Sequence, residues 1–423
     1  MKVLLQQVTV IDPASPFHQS KKDILIDTGV IRQIADSIDE VVDTVVNIDG
    51  LHVSPGWIDS FADFCDPGYE HKESLYSGAH AAAAGGFVSV MIIPNTKPVT
   101  DNRIQVEYIV QRSAQLPVNI LPMGAITKSA EGKELAEMYD MQGSGAVAFT
   151  DGIYPVQPAG TLLKALQYVK PFNGVIIQLP DDKSLVPHGL MHEGVVSTRL
   201  GLPGKPALSE ELLVARDIRL LEYTGSRLHL TAVSSALSLP YIRQAKEAGL
   251  QLSCSVTPYH LFFCDEDLQE YDTNLKVNPP LRGREDMMAL RRAVAEGLID
   301  CIATHHLPQD YDNKIIEFEY ARPGMTGLET CYPVLKAALP ELSEERWVEL
   351  LCLNPARIFG LKAGRVAEGE PALLTLFNPG APFLYGGNIR SKSVNSPFIG
   401  MNLKGKIEGI VNGNKLFLNN QTN

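Results

Sequence analysis

The chain has 423 residues, of which 45% are hydrophobic and 20% charged, and its formal net charge at pH 7 is −12. This composition is typical of a globular protein with a large core, and the negative charge disfavours partners such as nucleic acids and anionic membranes. Six cysteines without C-x-x-C spacing favour reduced thiols in a cytoplasmic protein, and the lack of any apolar run of ~18 residues predicts no transmembrane helix.

The two ends of the chain share one pattern. The first fifty residues alternate short strand-like segments such as VLLQQVTVID with turns rich in Gly, Asp and Pro, and the last sixty repeat this pattern. We therefore predict a small β-sandwich built from both termini, residues 1–52 and 363–423.

Between the termini, helical and strand-like patterns alternate. KESLYSGAHAAAAGG precedes FVSVMII, and REDMMALRRAVAEG precedes LIDCIAT. This alternation is typical of an α/β parallel sheet, and at this length it favours a (β/α)8 TIM barrel over residues 53–362. A nucleotide-binding fold has no support, because the sequence contains neither a G-x-G-x-x-G after its first strand nor a G-x-x-x-x-G-K-[ST].

Residues that follow the strands of a TIM barrel carry its chemistry. In chain order these positions read FAD (61–63), PNT (94–96), Asp151, Gln178, Ala232, TPYH (257–260) and THH (304–306).

Several long stretches resemble the dihydroorotases of the cyclic amidohydrolase superfamily, in the order of that family and over nearly the whole chain. They are PGWID, DPGYEHKESLYSG, AAAAGGFVSVMIIPNTKPVTD, AFTDG, MHEGVVSTRLGLPGKP, VNPPLR, GMTGLET and NPARIFGL. The resemblance implies a barrel of the metal-dependent hydrolase type with a terminal β-sandwich, and a setting in the de novo pyrimidine (UMP) pathway. Active members hydrolyse or close the dihydroorotate ring with zinc.

The positions that hold the metal and the substrate in that family are mostly replaced in this chain. The family motif His-x-His-x-Arg, which supplies two metal ligands and a substrate-binding Arg, is replaced by Phe61, Asp63 and Cys65. Two further ligand histidines are replaced by Gln178 and Ala232, the catalytic Asp by His305, and the last His of its motif by Gln309. The resemblance leaves Asp151 as a remnant metal ligand, and Asn95, Asn278 and His260 as remnants of the substrate pocket.

These replacements predict the loss of dihydroorotase activity. Zinc lowers the pKa of its bound water from 15.7 to ~7, so its loss removes on the order of 10⁸-fold of hydroxide-like nucleophile. Phe and Ala offer no lone pair, the Gln amide is a poor zinc ligand, and Cys cannot make the bidentate contact of an Arg. His305 remains the candidate catalytic group, since a histidine can accept a proton near neutral pH.

His305 and Asp63 exchange residue types relative to the family, at the ends of two neighbouring barrel strands. We expect an Asp63–His305 ion pair that takes the place of the metal. The alternative is a new weak metal site in which Asp63 and His305 join Asp151. Simpler interpretations stand beside these: His229 as a hydrogen-bonded core histidine, Cys65 as an apolar filler, and Asn95 and Asn278 as loop-stabilising amides.

Three functions follow from this sequence. The first is a catalytically inactive dihydroorotase-like protein without a resident cofactor, acting as an assembly partner; the resemblance implies aspartate carbamoyltransferase as the partner, and we expect a homo-oligomer. The second is an active dihydroorotase or other cyclic amidohydrolase with an unconventional zinc site. The third is a small-molecule binding module that uses the residual pocket.

Overall fold

The computed structural model describes residues 1–268 and 270–420. Its strands are β1 (Lys2–Val10), β2 (Lys21–Asp27), β3 (Val30–Ala35), β4 (Thr44–Val46), β5 (His52–Pro55), β6 (Trp57–Ala62), β7 (Phe87–Ile92), β8 (Asn119–Pro122), β9 (Ile176–Gln178), β10 (Met191–His192), β11 (Gly204–Lys205), β12 (Leu228–Leu230), β13 (Leu252–Val256), β14 (Cys301–Ile302), β15 (Leu373–Leu384), β16 (Asn402–Asn412) and β17 (Lys415–Leu418). Its α-helices are α1 (Leu75–Ala84), α2 (Arg103–Ser113), α3 (Met138–Gly143), α4 (Ala159–Val169), α5 (Val195–Leu200), α6 (Leu208–Thr224), α7 (Leu239–Glu247), α8 (Pro258–Phe262), α9 (Arg284–Ala295), α10 (Cys331–Ala338), α11 (Glu344–Val348) and α12 (Asn354–Phe359).

The strands at the two ends of the chain share one sheet. Its strand order is β17-β16-β15-β5-β1-β2-β3, and β4 pairs with β1. The antiparallel pairing of β5 with β15 joins the N-terminal and C-terminal parts. The α/β fold with a TIM barrel and a terminal β-sandwich is thus confirmed, whereas the boundaries at 52/53 and 362/363 stay predictions, and the last three residues of 363–423 lie outside the described residues.

The barrel is assembled from eight parallel segments. Seven of the eight contacts between neighbouring segments are the β6-β7-β8 pairings, the β9-β12-β13-β14 pairings and the bridges of Phe149 to Gly124 and Ile176, which insert a short fourth segment. The bridge between Ala62 and His306 then joins the first segment to the last and closes the ring. The ends of β6 and β14 are therefore neighbours, as the sequence predicted.

The terminal sheet packs against the amino end of the barrel. The indole of Trp57, at the start of β6, lies 5.4 Å from the ring of Phe377 on β15, measured between centroids. Trp57 is fully buried, and Ile407 and Ile410 of β16 belong to the same apolar core. The opposite, carboxyl end of the barrel is the mouth, at which the strand-end residues lie.

Local sequence explains where α1 begins and where it ends. Ser74 caps the helix, accepting a hydrogen bond from the backbone N–H of Ser77, and Gly85 ends it. A Cβ at Gly85 would lie 2.2 Å from the carbonyl oxygen of Leu328, so only glycine allows this approach.

Among residues 1–268 and 270–420, no helix is long and apolar enough to cross a membrane.

Candidate functional site

The centre of the barrel mouth is occupied by an aromatic stack. The phenyl ring of Phe61, at the end of β6, lies on the imidazole of His305 with centroids 4.1 Å apart and planes 11° apart. Phe61 is 0% exposed and His305 1% exposed. Both residues stand at positions that hold the metal or the catalytic Asp in the family that the sequence resembles, so the stack fills the place where that chemistry would occur.

A chain of hydrogen bonds continues from His305 into the barrel. The Nε2 of His305 hydrogen-bonds to the hydroxyl of Thr231 over 2.7 Å, and the hydroxyl of Ser255 donates to Thr231 over 3.1 Å. His229 closes the chain, with its Nε2 3.1 Å from Ser255 Oγ and its Nδ1 2.8 Å from Ser253 Oγ. His229 is therefore a hydrogen-bonded core histidine, which is the simpler of the sequence-based interpretations.

Burial keeps these histidines neutral. It lowers the pKa of His229 to about 3, and it lowers the pKa of His305 well below the usual value, with His260 and His229 adding to the effect. The Nδ1 of His305 is buried without a hydrogen-bond partner. A neutral His305 enclosed in this way offers no positive charge to a neighbouring carboxylate.

The expected Asp63–His305 ion pair is not formed. The side chain of Asp63 instead turns back on its own loop, where its Oδ1 accepts a 2.8 Å hydrogen bond from the backbone N–H of Cys65. Burial raises the pKa of the Asp63 carboxyl. The prediction was wrong because strand adjacency fixes which backbones meet but not where side chains point, and His305 adopts a left-handed backbone with φ of 45°.

Both carboxylate oxygens of Asp151 accept hydrogen bonds from Thr127, a residue that the sequence pattern did not indicate. Its Oδ1 accepts from the backbone N–H of Thr127 over 2.9 Å, and its Oδ2 accepts from the Thr127 hydroxyl over 2.5 Å. Burial raises the pKa of Asp151 to about 6, although these hydrogen bonds oppose the rise. The remnant metal ligand thus anchors the segment at residue 127.

The two other substituted ligand positions are also part of the packed interior. The Gln178 amide accepts from the backbone N–H of Val156 over 3.3 Å and donates to Asp217 Oδ2 over 3.4 Å. Ala232 is 0% exposed. The Gln178 amide is thus engaged in hydrogen bonds within the interior, and Ala232 has no donor atom.

The zinc that the fold family implies does not fit these residues. Phe61 and Ala232 carry no donor atom, and both oxygens of Asp151 are held by Thr127. Asp63, Asp151 and His305 are not brought together as ligands, and within the part of the chain that the structure describes no group of three or more His, Cys, Asp or Glu side chains could hold a metal ion.

Asn95 and His260, two of the predicted pocket remnants, form hydrogen bonds with the loops around the mouth. Asn95 donates to the carbonyl of Asp151 over 3.1 Å and accepts from the backbone N–H of Ile153 over 3.1 Å. His260 lies 2.8 Å from Thr257 Oγ1 and contacts two proline carbonyls, with its pKa lowered to about 3 by burial. Their role in binding a substrate stays a prediction.

Asn278 leads to a second set of polar residues that the sequence did not reveal. Its Oδ1 accepts a 2.8 Å hydrogen bond from the ammonium of Lys205, which also donates to Asp181 Oδ2 over 2.6 Å. Lys205 is an isolated Lys in the stretch GLPGKP, and nothing in its local pattern predicts a buried ion pair.

Family models match the chain in two overlapping parts. Residues 50–238 match a model described as Dihydro-orotase-like, and residues 208–416 match a model described as Amidohydrolase family. Proteins named Dihydroorotase match nearly the whole length of the chain. The one from Pelotomaculum thermopropionicum is 42% identical, covering 96% of each chain, and the one from Syntrophus aciditrophicus is 39% identical, covering 96% of this chain and 97% of its own.

Solved structures share the fold at lower identity. An L-hydantoinase (dihydropyrimidinase) from Arthrobacter aurescens superposes with a TM-score of 0.83 at 22% identity, covering 98% of this chain and 95% of its own. A dihydropyrimidinase from Brevibacillus agri gives a TM-score of 0.81 at 18% identity, covering 99% and 95%. At such identities the similarity supports the shared barrel and sandwich alone.

Proposed function

The chain belongs to the dihydroorotase family of the amidohydrolase superfamily, the family of pyrimidine biosynthesis, and we propose that it is a catalytically inactive member. The observation that carries the proposal is the Phe61–His305 stack, which fills the mouth with two buried rings. In this proposal the protein keeps the fold of the family, acts as an assembly partner and has no resident metal.

The proposal rests on the chemistry of amide hydrolysis. An unactivated cyclic amide needs a strong nucleophile and a polarised carbonyl, both of which a metal ion supplies in this family. Phe61 and Ala232 cannot bind a metal, and Cys65 cannot replace an Arg that pairs with a carboxylate. His305 could act as a base only if it reached a water molecule, but its ring is covered by Phe61.

The second candidate is an active dihydroorotase with an unconventional zinc site. Relatives that share 39–42% identity over almost the whole chain carry the name Dihydroorotase, and this favours it. Retained activity would require Phe61 to leave the mouth and Asp151 to exchange the Thr127 hydrogen bonds for a metal.

An activity assay separates the two candidates. The purified protein is incubated with Zn²⁺ and tested for dihydroorotate hydrolysis and for cyclisation of N-carbamoyl-L-aspartate, with the Pelotomaculum relative assayed in parallel. We expect no turnover above the uncatalysed rate. Metal-dependent turnover at about 1 s⁻¹ or faster, which is ordinary for enzymes, would establish the active candidate.

A variant with the family residues restored provides the matched control. It carries Phe61→His, Asp63→His, Cys65→Arg, Gln178→His, Ala232→His and His305→Asp. We expect this variant to bind zinc, measured by elemental analysis after gel filtration, whereas the unchanged protein should retain less than about one ion per ten chains.

The proposed partner is aspartate carbamoyltransferase, and the proposed assembly includes more than one copy of this chain. One loop near the mouth supports an assembly role, because it exposes three large side chains: Tyr311 at 69%, Ile315 at 61% and Tyr320 at 67%. Co-purification with the carbamoyltransferase chain from the same organism, followed by light scattering, tests this role. Serine at all three positions should weaken the complex, whereas serine at the exposed Tyr223 should not.

A further inference from the structure

The first and last segments of the barrel meet through a short contact. It consists of the bridge between Ala62 and His306 and a 2.8 Å hydrogen bond from the backbone N–H of Asp63 to the carbonyl of His306. We call this contact the seam. Phe61 and His305, whose rings fill the mouth, directly precede Ala62 and His306 in the chain. Any loosening of the seam would therefore reach the closed centre of the mouth.

A strap, residues 389–396 between β15 and β16, crosses the seam at the carboxyl ends of the strands. On the side of β6, the ammonium of Lys392 donates to the carbonyl of Glu70 over 2.6 Å. The hydroxyl of Ser393 donates to the carbonyl of Lys72, also over 2.6 Å. The strap thereby holds the loop that follows the first barrel strand.

The same strap is fixed to the loops on the side of β14. The amide of Asn395 donates to the carbonyls of Leu307 and Gly324, over 3.1 Å and 3.0 Å. Its Oδ1 accepts a 3.0 Å hydrogen bond from the backbone N–H of Gln309. Because Asn395 is 4% exposed, water does not compete for these hydrogen bonds. The strap thus joins the two sides of the seam.

Two buried carboxylates hold the middle of the strap. Glu73 is 0% exposed, and it accepts from the Ser391 hydroxyl and, over 3.2 Å, from the backbone N–H of Lys392. Glu329 is 8% exposed, and it accepts from the backbone N–H groups of Arg390 and Ser391 over 3.1 Å. Closing the strap therefore removes both carboxyl groups from water.

Glu73 is suited to remain ionised in the closed strap. The Nδ1 of His306 accepts from the backbone N–H of Gly327 over 3.2 Å, so the ring proton lies on Nε2, which is 3.3 Å from Glu73 Oε2 and donates to it. Burial raises the pKa of Glu73, but the hydrogen bonds from His306 and Ser391 outweigh burial and lower this pKa below its ordinary value.

Glu329 has the opposite preference. Burial raises its pKa from the ordinary 4.5 to about 7, and the negative charge of Glu73 adds to the rise, although the backbone donors of the strap oppose it. The ionisable groups that face it are those of Glu73, Tyr385, Arg390 and Lys406. The pKa of Glu73 is lowered and that of Tyr385 is raised, so neither changes charge between pH 5 and pH 8.

We propose that the strap opens and closes with pH and thereby controls access to the barrel mouth. In the closed form Glu329 is buried and binds its proton tightly, whereas in the open form the carboxyl is in water and ionises readily. Acid therefore favours the closed strap, and a rise in pH favours the open one. Opening frees the loop of residues 70–73 and removes the support of the seam beside Phe61 and His305.

Hydrogen exchange of the full-length protein, measured by mass spectrometry of peptides that cover the strap, reports its opening. Rates are corrected for the intrinsic pH dependence of amide exchange. We expect the strap to exchange at least about tenfold faster at pH 8 than at pH 5, because the closed form binds the Glu329 proton more tightly than the open form. The amides of β7 should stay protected at both pH values, which distinguishes local opening from global unfolding.

Three variants assign the effect. Glu329→Gln keeps the shape of the side chain without a charge, so its strap should exchange at pH 8 as slowly as at pH 5. Glu134→Gln, at a side chain that is 77% exposed, should behave like the unchanged protein. Asn395→Ala removes hydrogen bonds from the strap and leaves Glu329 in place. It should increase exchange at both pH values and keep their ratio.

The thiol of Cys65 reports whether the opening reaches the mouth. Cys65 is 2% exposed on the loop that the strap holds, and Cys254 in β13 provides a reference for global unfolding. At pH 8 we expect iodoacetamide to modify Cys65 at least about tenfold faster than Cys254, and Glu329→Gln to slow the modification of Cys65 about tenfold. The proposal is overturned if the strap exchanges equally at both pH values, if Glu329→Gln keeps the pH dependence, or if Cys65 reacts no faster than Cys254.

Discussion

The imidazole of His305 and the phenyl ring of Phe61 are stacked within 4.1 Å of each other at the mouth of the barrel, and each is sealed from solvent by its neighbours. In a metal-dependent hydrolase this volume must admit a metal, a water molecule and a substrate. Here it is part of the core, so substitutions at these positions should change stability.

Truncating Phe61 should destabilise the protein strongly. Phe61→Ala removes a fully buried ring and leaves a cavity above His305, so we expect a loss of about 3–5 kcal/mol in the free energy of unfolding, measured by urea denaturation. Phe61→Leu keeps most of the volume and should lose less than half as much. A loss below about 1 kcal/mol for Phe61→Ala would mean that the stack does not support the core.

His229 should make the protein sensitive to acid. Its pKa is lowered to about 3 in the folded state against 6.5 for the free side chain, so between these values the unfolded chain binds a proton that the folded chain does not. The contribution of the neutral His229 to the free energy of unfolding is therefore present above pH 6.5. It decreases as the pH falls, by about 2 kcal/mol between pH 7 and pH 5.

A comparison of variants isolates this effect from carboxyls such as Asp59, whose pKa is raised to about 7 and which act in the opposite direction. In His229→Gln the loss of stability between pH 7 and pH 5 should be about 2 kcal/mol less than in the unchanged protein. His188→Gln, at an exposed histidine, should behave like the unchanged protein. Equal pH dependence in all three proteins would show that His229 is not kept neutral.

The hydroxyl of Thr127 should stabilise the folded protein by donating a hydrogen bond to the buried carboxylate of Asp151. Thr127→Val removes the hydroxyl that donates to Oδ2, and we expect a loss of about 1–3 kcal/mol at pH 8. The loss should shrink at pH 5, below the raised pKa of Asp151, because a protonated carboxyl needs fewer donors. Thr127→Ser keeps the hydroxyl and should be nearly neutral; a loss as large as that of Val would point to the methyl group instead.

Removal of metal should leave the stability unchanged. Because the residues at the mouth do not form a zinc site, dialysis against a chelator is expected to shift the melting temperature by less than about 2 °C, measured by calorimetry. A metal bound only to the folded state would add several kcal/mol at saturation, and its removal would lower the melting temperature clearly. The variant with restored family residues should show that larger shift.

The barrel could be predicted because its evidence is distributed along the chain. Each helix-to-strand repeat independently indicates a parallel sheet, and strand order then places Asp63 and His305 at neighbouring ends, as the Ala62–His306 bridge shows. What failed was the step from neighbouring positions to a contact between side chains. The Asp63 carboxylate is held by a backbone N–H two residues away, an interaction as compatible with the sequence as an ion pair.

The partners of the buried polar groups could not be predicted for a related reason. Thr127 pairs with Asp151, and Lys205 with Asp181, across 24 positions of the chain in each case, and none of these residues stands in a distinctive local pattern. A single sequence reports which residue types are present. The choice of partner among many possible donors is made by tertiary packing.

The pairing of β5 with β15 gives the order of biosynthesis a role in folding. Val53 leaves the ribosome long before its partner Leu376, so the edge of β5 is open while the entire barrel is being synthesised. An open strand edge is a template for association with other chains. The strands synthesised last therefore cover this edge and protect the newly made chain from association. Proteolytic loss of the segment from β15 onward would expose the edge again, and the remaining protein would aggregate.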